Sequence, residues 1–362
     1  MRLLAYTDAA GVGGAEISLG NLLAELRHDP TVEITVLGRA AEVVHRVAPP
    51  GVTSFVAPVR RHPALIARLR PEVVHANLPV PWSGSAGLAA ALALPRTRVL
   101  AVQQLPLRTV ELPLWLRTRA LLRRLDAHVA VGVESCRRVE DFYALGRGSL
   151  RSIPNFVPDV PESQRVSESR PVSDGGFTVG SLGRLDRMKG YDLLLPAIAR
   201  IPGARLVVLG EGAERDALER QARELGIADR VEFPGWHPEP RAVMADWDVF
   251  CLPSRSEGFP LSIVEAMLAG LPVVACRVGS VAEAVVEDRT GLIVPKDDID
   301  ALTAALQQLT DPARRGELGR AGRLHAATHF TVARMADAYR TLYDELLARP
   351  RRRRVRPAPE KA

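Results

Sequence analysis

Two carboxylates eight positions apart, Glu257 and Glu265, enclose the run Gly258-Phe259-Pro260-Leu261. A glycine that permits a tight turn, followed by a proline suited to the first helical position, predicts a turn that opens a helix between the two acids. The first-turn amides of a helix have no intrahelical partner, so those of Leu261 and Ser262 can face a phosphate or a sugar oxygen. Glu265, one turn deeper on the same helix, can accept hydrogen bonds from a ribose diol, and the whole arrangement suits a nucleotide sugar. Packing accounts for Ile263, Val264, Met267 and Leu268, but packing alone does not call for acids at both ends.

Upstream, Arg184 and Lys189 stand five residues apart in a loop that leaves a predicted strand and ends at Gly190. Two cations there can neutralise a diphosphate that departs with negative charge. The chain has only three lysines, so a lysine in a glycine-flanked loop of an arginine-dominated sequence points to a need for a compact point charge. The first strand runs into Asp8 to Glu16, whose glycines at 11, 13 and 14 offer backbone N–H groups to a phosphate. That spacing is not Gly-x-Gly-x-x-Gly, and the second strand ends at Gly38-Arg39 with no ribose-binding acid. A nicotinamide-dependent dehydrogenase is therefore disfavoured.

These residues must be positioned by a long α/β chain. Its 362 residues suit two domains, and 47% hydrophobic with 25% charged residues fits a globular protein. Strands at Leu3–Thr7, Val32–Leu37, Val73–Ala76, Arg98–Gln103 and His128–Val131, alternating with helical patterns such as Gly14–Leu26, predict a doubly wound parallel sheet in residues 1–158. Residues 159–175, rich in Ser, Pro and charge, read as a linker. A second doubly wound domain over 176–330 follows, with strands at Thr178–Leu182, Arg205–Leu209, Val231–Phe233, Val249–Leu252, Val273–Cys276 and Gly291–Val294. Its closing helix is expected near Ile299–Leu309. A last helix at 331–349, with its apolar pattern over Thr331–Leu347, is long enough to return to the first domain. Two such sheets direct their carboxyl ends at one interdomain cleft, where ligands of open α/β sheets bind.

The net charge of +6 belongs mainly to residues 350–362, which carry six positive charges and one negative and leave +1 for the rest. Arg351 to Arg354 read first as a solvated, disordered tail, with contact to anionic lipid or nucleic acid as the lesser alternative; no nucleic acid partner is expected. Cys136, Cys251 and Cys276 are widely spaced and odd in number, which indicates neither a disulfide framework nor a zinc site. No apolar run reaches a membrane span, the first residues do not read as a signal peptide, and the expected location is cytoplasmic.

Gly13-Gly14-Ala15-Glu16, Ile153-Pro154-Asn155, Gly183-Arg184, Lys189-Gly190, Gly210-Glu211-Gly212 and the Glu257 to Glu265 element together resemble the retaining glycosyltransferases of family 4, which have the GT-B fold. The resemblance runs from about residue 3 to 345. It implies transfer of a hexose-like sugar from a nucleoside diphosphate to an acceptor hydroxyl with retention at the anomeric carbon. No metal or other cofactor is implied; Asp246-Trp247-Asp248 reads as structural. By the same resemblance Arg184 and Lys189 grip the donor diphosphate, Glu257 touches the donor sugar and Glu265 holds the ribose. Gly13 and Gly14 lie near the phosphates, Gly235 and Trp236 near the nucleobase, and Gly258, Phe259, Pro260 and Leu261 line the donor turn. Glu257, Arg184 and Lys189 are the expected catalytic set, and Glu16, His75 and Gln103 the acceptor side.

One departure is Gln103-Gln104, where many relatives carry a histidine; a glutamine hydrogen-bonds but does not shuttle protons near neutral pH. It supports a rival reading, a non-catalytic protein that binds nucleotide sugar. His75 reads either as cleft lining or as a satisfied structural histidine. Leu112 to Leu125, with Trp115, Arg117, Arg119, Arg123 and Arg124, reads two ways as well. Its leucines pack on the sheet with the arginines in water, or the helix rests on the inner face of an anionic membrane and presents a lipid-linked acceptor. The acceptor class stays open between a polysaccharide, a lipid-linked glycan and a small metabolite.

Overall fold

The computed structural model describes residues 1–158, 176–237 and 239–350; the linker expected at 159–175 and the basic tail from 351 onward lie outside the described residues. The amino-terminal half runs β1 (Arg2–Tyr6), α1 (Gly14–Leu26), β2 (Glu33–Gly38), α2 (Ala41–Val47), β3 (Thr53–Val56), α3 (His62–Leu69), β4 (Val73–Leu78), α4 (Ser85–Ala93), β5 (Arg98–Gln103), α5 (Leu112–Leu122), β6 (Ala127–Ala130), α6 (Val133–Phe142) and β7 (Arg151–Ser152). Its strands form one parallel sheet in the order β3-β2-β1-β4-β5-β6-β7.

The second half runs β8 (Thr178–Leu182), α7 (Tyr191–Ala199), β9 (Arg205–Leu209), α8 (Arg215–Glu224), β10 (Val231–Gly235), α9 (Pro240–Met244), β11 (Val249–Leu252) and α10 (Leu261–Ala269). It continues with β12 (Val273–Cys276), α11 (Val281–Ala284), β13 (Gly291–Val294), α12 (Ile299–Gln308), α13 (Pro312–His329) and α14 (Val332–Ala348). This sheet is also parallel, in the order β10-β9-β8-β11-β12-β13. Central strands such as β4 and β11 are buried at every residue, as strands covered by helices on both faces must be. In each sheet the order reverses beside the first strand, between β1 and β4 and between β8 and β11. Such reversals open a crevice at the carboxyl ends of the strands.

The last helix returns to the first domain, as expected. Met335, Tyr339, Leu342, Tyr343 and Leu346 recur at helical spacing on its buried face, and the Tyr343 hydroxyl lies 2.7 Å from His75 Nδ1 on β4. One apolar core therefore runs from Leu3 and Leu23 of the first domain through Phe259 and Phe330 to Tyr343. Cys136, Cys251 and Cys276 are free and buried, small members of the interior.

Three elements depart from the sequence expectation. The edge strands β3 and β7 carry little apolar alternation and were not expected. Nor was α13, whose residues 316, 319 and 322 are glycines that lower helix propensity. The reason for Gly319 is packing: a Cβ there would lie 2.2 Å from the Gly270 carbonyl, so its absence lets α13 approach the end of α10. Helix α5 buries Thr118 and Leu122, the latter against Ala130 of β6, while Leu112 and Leu116 stay exposed, so only part of its leucines pack inward. Among the described residues no helix is long and apolar enough to cross a membrane.

Candidate functional site

The motif residues follow strands at their carboxyl ends, and the two domains meet there. Gly14 packs near Leu261 at the start of α10, and Gly258 faces the backbone of Gln104, just past β5. A Cβ at 258 would sit 1.9 Å from the Gln104 carbonyl oxygen, so only glycine allows this approach. Pro260 is the residue before the first helical turn of α10 rather than within it, and Phe259, Pro260 and Leu261 are all buried.

At this helix start the structure joins two of the expected catalytic residues. Lys189 Nζ donates to Glu257 Oε1 at 2.7 Å, and Ser254 Oγ donates to the same oxygen at 2.6 Å. The two charged side chains are only 18% and 9% exposed, so each largely depends on the other for the solvation that burial removes. The lysine loop is built for the contact: Asp186 accepts the Met188 and Lys189 N–H groups, turning the chain back over β8. Arg255 fastens the facing segment, with a bidentate pair to Asp192, a further bond to Asp297 and its own N–H on the Met188 carbonyl. Arg184 stands apart, 70% exposed and paired with Asp186 at 3.1 Å.

Glu265 lies one turn into α10, as expected, but with a partner that sequence reading missed. Arg241 on α9 reaches Glu265 Oε1 at 3.4 Å and donates to the Pro158 carbonyl at 2.9 Å. Burial pushes the Glu265 carboxyl up, opposed by the Arg241 charge. Nothing local marks Arg241, since its role depends on a partner 24 residues away. Trp236 is 75% exposed beyond Gly235, at the end of β10. Asp248 accepts the Thr178 N–H and lies 3.6 Å from Arg315, which makes it structural, while Trp247 is buried and Asp246 is exposed.

On the first domain, an amide relay holds the glycine turn. Ser18 donates to Asn155, Asn155 to Gln104, Gln104 to Asn77, and Asn77 to the Ala15 carbonyl, each of the first three bonds being 2.7 Å long. Asn155 belonged to a recognised motif and Gln104 to the noted Gln103-Gln104 departure; Ser18 and Asn77 did not stand out. Two acceptor-side expectations need correction. His75 is 2% exposed against Tyr339 and Tyr343 of α14, and burial pushes its pKa down to about 3, so it is a structural histidine. Gln103 is fully buried with its amide nitrogen 2.9 Å from His128 Nε2, because alternation along β5 turns it away from the seam that Gln104 reaches.

Glu16 caps α1 by accepting the Gly13 N–H at 3.1 Å, and its second oxygen is buried without a partner. Burial, with the nearby Asp8 charge adding to it, pushes its pKa up from 4.5 to about 7. An acid raised in the folded state stays neutral between those two values while the unfolded chain ionises, so stability falls as pH rises from 4.5 to 7. Glu16→Gln, which keeps an acceptor for Gly13, is expected to stabilise the protein by roughly 2–3 kcal/mol at pH 8 and hardly at all at pH 4. Urea unfolding at the two pH values checks this; an equal gain at both would show that charge is not the cause.

A second junction between the domains lies beyond the donor turn. Helix α6 starts after Gly132, which has no side chain to cap it. Instead Glu283, on α11 of the other domain, accepts the Val133 and Glu134 N–H groups at 2.8 and 3.0 Å, one on each carboxylate oxygen. Ser280 and Ser135 face each other beside it at 3.3 Å.

Comparison with known proteins extends this geometry. Residues 163–325 match the family described as Glycosyl transferases group 1. A GDP-mannose-dependent alpha-(1-6)-phosphatidylinositol monomannoside mannosyltransferase of Mycobacterium tuberculosis is 31% identical over 73% of this chain and 77% of its own length. Its Mycolicibacterium smegmatis namesake is 35% identical over 57% of this chain, and a D-inositol 3-phosphate glycosyltransferase of that organism 36% identical over 56%. The chain spans 59% and 48% of the lengths of those two relatives. In fold it is similar to Anabaena Alr3699/HepE in complex with UDP, with a TM-score of 0.81 at 20% identity over 95% of this chain and all of that one. Sucrose-phosphate synthase from Thermosynechococcus elongatus follows at 0.79 and 23% identity, covering 96% of this chain and 99% of that one. Kinship with the tuberculosis protein over three quarters of its length, on a shared GT-B architecture, means that the chain belongs to the glycosyl transferases group 1 family.

Proposed function

We propose that this glycosyltransferase moves a hexose-like sugar from a nucleoside-diphosphate sugar to an acceptor hydroxyl, with retention at the anomeric carbon and without a metal ion. The observation that carries the reading is the Lys189–Glu257–Ser254 cluster at the start of α10, with Glu265 one turn away. The departing diphosphate gathers negative charge as the sugar bond breaks. Lys189, Arg184 and the unpaired amides of the helix start stabilise that charge without rearranging the surrounding protein. As the diphosphate takes over Lys189, Glu257 is released to accept a hydroxyl of the donor sugar, still oriented by Ser254. Glu265 holds the ribose diol, and Arg241, 3.4 Å away, aims its carboxylate and opposes the effect of its burial.

The GDP-mannose and inositol phosphate in the relatives' names, and the UDP in the structural neighbour, support a purine or pyrimidine nucleoside diphosphate as donor and a glycolipid or glycosylated metabolite as product. A cytoplasmic location agrees with such donors.

A panel of nucleotide sugars tested by thermal shift and ligand-observed NMR tests the reading. One donor should stabilise the wild type selectively, and Glu265→Ala should weaken its binding by about 10–100-fold, the worth of a charged hydrogen-bonding pair. Binding without turnover would favour the non-catalytic reading. No binding by any nucleotide sugar would sink both.

A further inference from the structure

We propose that the outer face of α5 and the turn before it form a docking surface for an anionic phospholipid bilayer. The idea deepens the reading above, on which it rests for what the membrane would present: a lipid-linked acceptor.

The inner face of α5 is well held. The Trp115 indole donates to the Phe142 carbonyl at 2.7 Å, and Arg119 donates to the Tyr143 carbonyl at 2.9 Å while lying over the Trp115 ring. The outer face has no such partners. Leu112 is 64% and Leu116 52% exposed, and Val110, in the preceding turn, is 95% exposed. Leu112, Leu116 and the exposed Ala120 recur every fourth residue, which places them on one stripe of the helix. No other stretch of seven described residues exposes two large apolar side chains.

Guanidinium groups surround this stripe. Arg108, Arg117, Arg123 and Arg124 are exposed, and no carboxylate of the described residues lies within ion-pairing distance of any of them. Glu111 is the one acid among residues 108 to 124. Aliphatic side chains that project from a helix amid unpaired cations match the boundary between acyl chains and anionic headgroups, where both kinds of group find partners at the same depth.

Position supplies the link to catalysis. The segment that bears Val110 begins at Gln104, whose carbonyl touches Gly258 of the donor turn. The stripe thus follows the carboxyl end of β5, the end of the sheet at which the two domains meet, which is the side from which a lipid-linked acceptor would reach the donor.

Flotation of the full chain with phosphatidylcholine vesicles, with and without one third phosphatidylglycerol, tests the proposal. The protein should float with the anionic vesicles only, less so as salt rises, and L112S/L116S and R123S/R124S should each lower the bound fraction about tenfold. Both pairs are exposed, so thermal midpoints should not move. The variant R351S/R352S/R353S/R354S should still bind. Loss of binding in that variant but not in the α5 variants would assign the contact to the tail and overturn the proposal. So would equal binding to both vesicle types, none to either, or a lipid-free self-association that L112S/L116S abolishes. Vesicle binding needs no turnover, so a protein that floats but binds no nucleotide sugar would refute the catalytic reading alone.

Discussion

Lys189→Ala is expected to slow sugar transfer by on the order of 10²–10³-fold, the usual cost of removing one preorganised donor from a developing negative charge. Donor affinity should change less, because the ribose and base contacts remain and the lysine acts chiefly on charge that appears as the bond breaks. The substitution also strips Glu257 of its cation and leaves Ser254 as its remaining partner, so some stability is lost as well. Measuring kcat and donor Kd on protein shown to be folded by circular dichroism separates the two effects. A fall in affinity as large as the fall in kcat would mean that the lysine serves ground-state binding, and an unchanged kcat would remove it from the mechanism. Lys189→Arg should recover only part of the rate, since a planar fork does not fill the place of a point charge held 2.7 Å from Glu257.

Gly258→Ala is expected to lower transfer by at least about 100-fold, the order of loss that a 1 Å misplacement of reacting groups brings. The added methyl would sit 1.9 Å from the Gln104 carbonyl and 3.1 Å from Val131, both on the other domain, so the seam must open. Because one apolar core crosses the seam beside Phe259, denaturation midpoints should fall as well. Small-angle scattering should report a more extended particle. A variant that transfers sugar normally would show that the approach of Gly258 to Gln104 is not part of the working state.

Much of the fold could be read because its strands are short β-branched runs cut off by glycine or proline. Arg98–Gln103, Val249–Leu252 and Val273–Cys276 are found at the positions the sequence indicated. Helix α13 escaped because its glycines serve close packing against α10, a tertiary reason that local propensity does not contain. The site divides in the same way. Glu257, Glu265 and Lys189 were legible because they share short motifs with turn residues of defined geometry. Arg241, Gln104 and Glu283 take their parts from partners far along the chain. His75 stayed open between two readings because the end of a strand indicates the height of a side chain but not which face it takes, and here the face belongs to α14.

The borrowed cap on α6 ties local order to domain position. When the domains separate, the Val133 and Glu134 amides lose the Glu283 carboxylate, and the partial positive charge at that helix end loses its counter-charge. Water replaces both, less well. The first turn of α6 therefore frays when the seam opens and re-forms when it shuts, so hydrogen exchange at two amides reports the hinge state of the whole molecule. Because linkage is reciprocal, whatever stiffens that turn favours the shut form to the same extent.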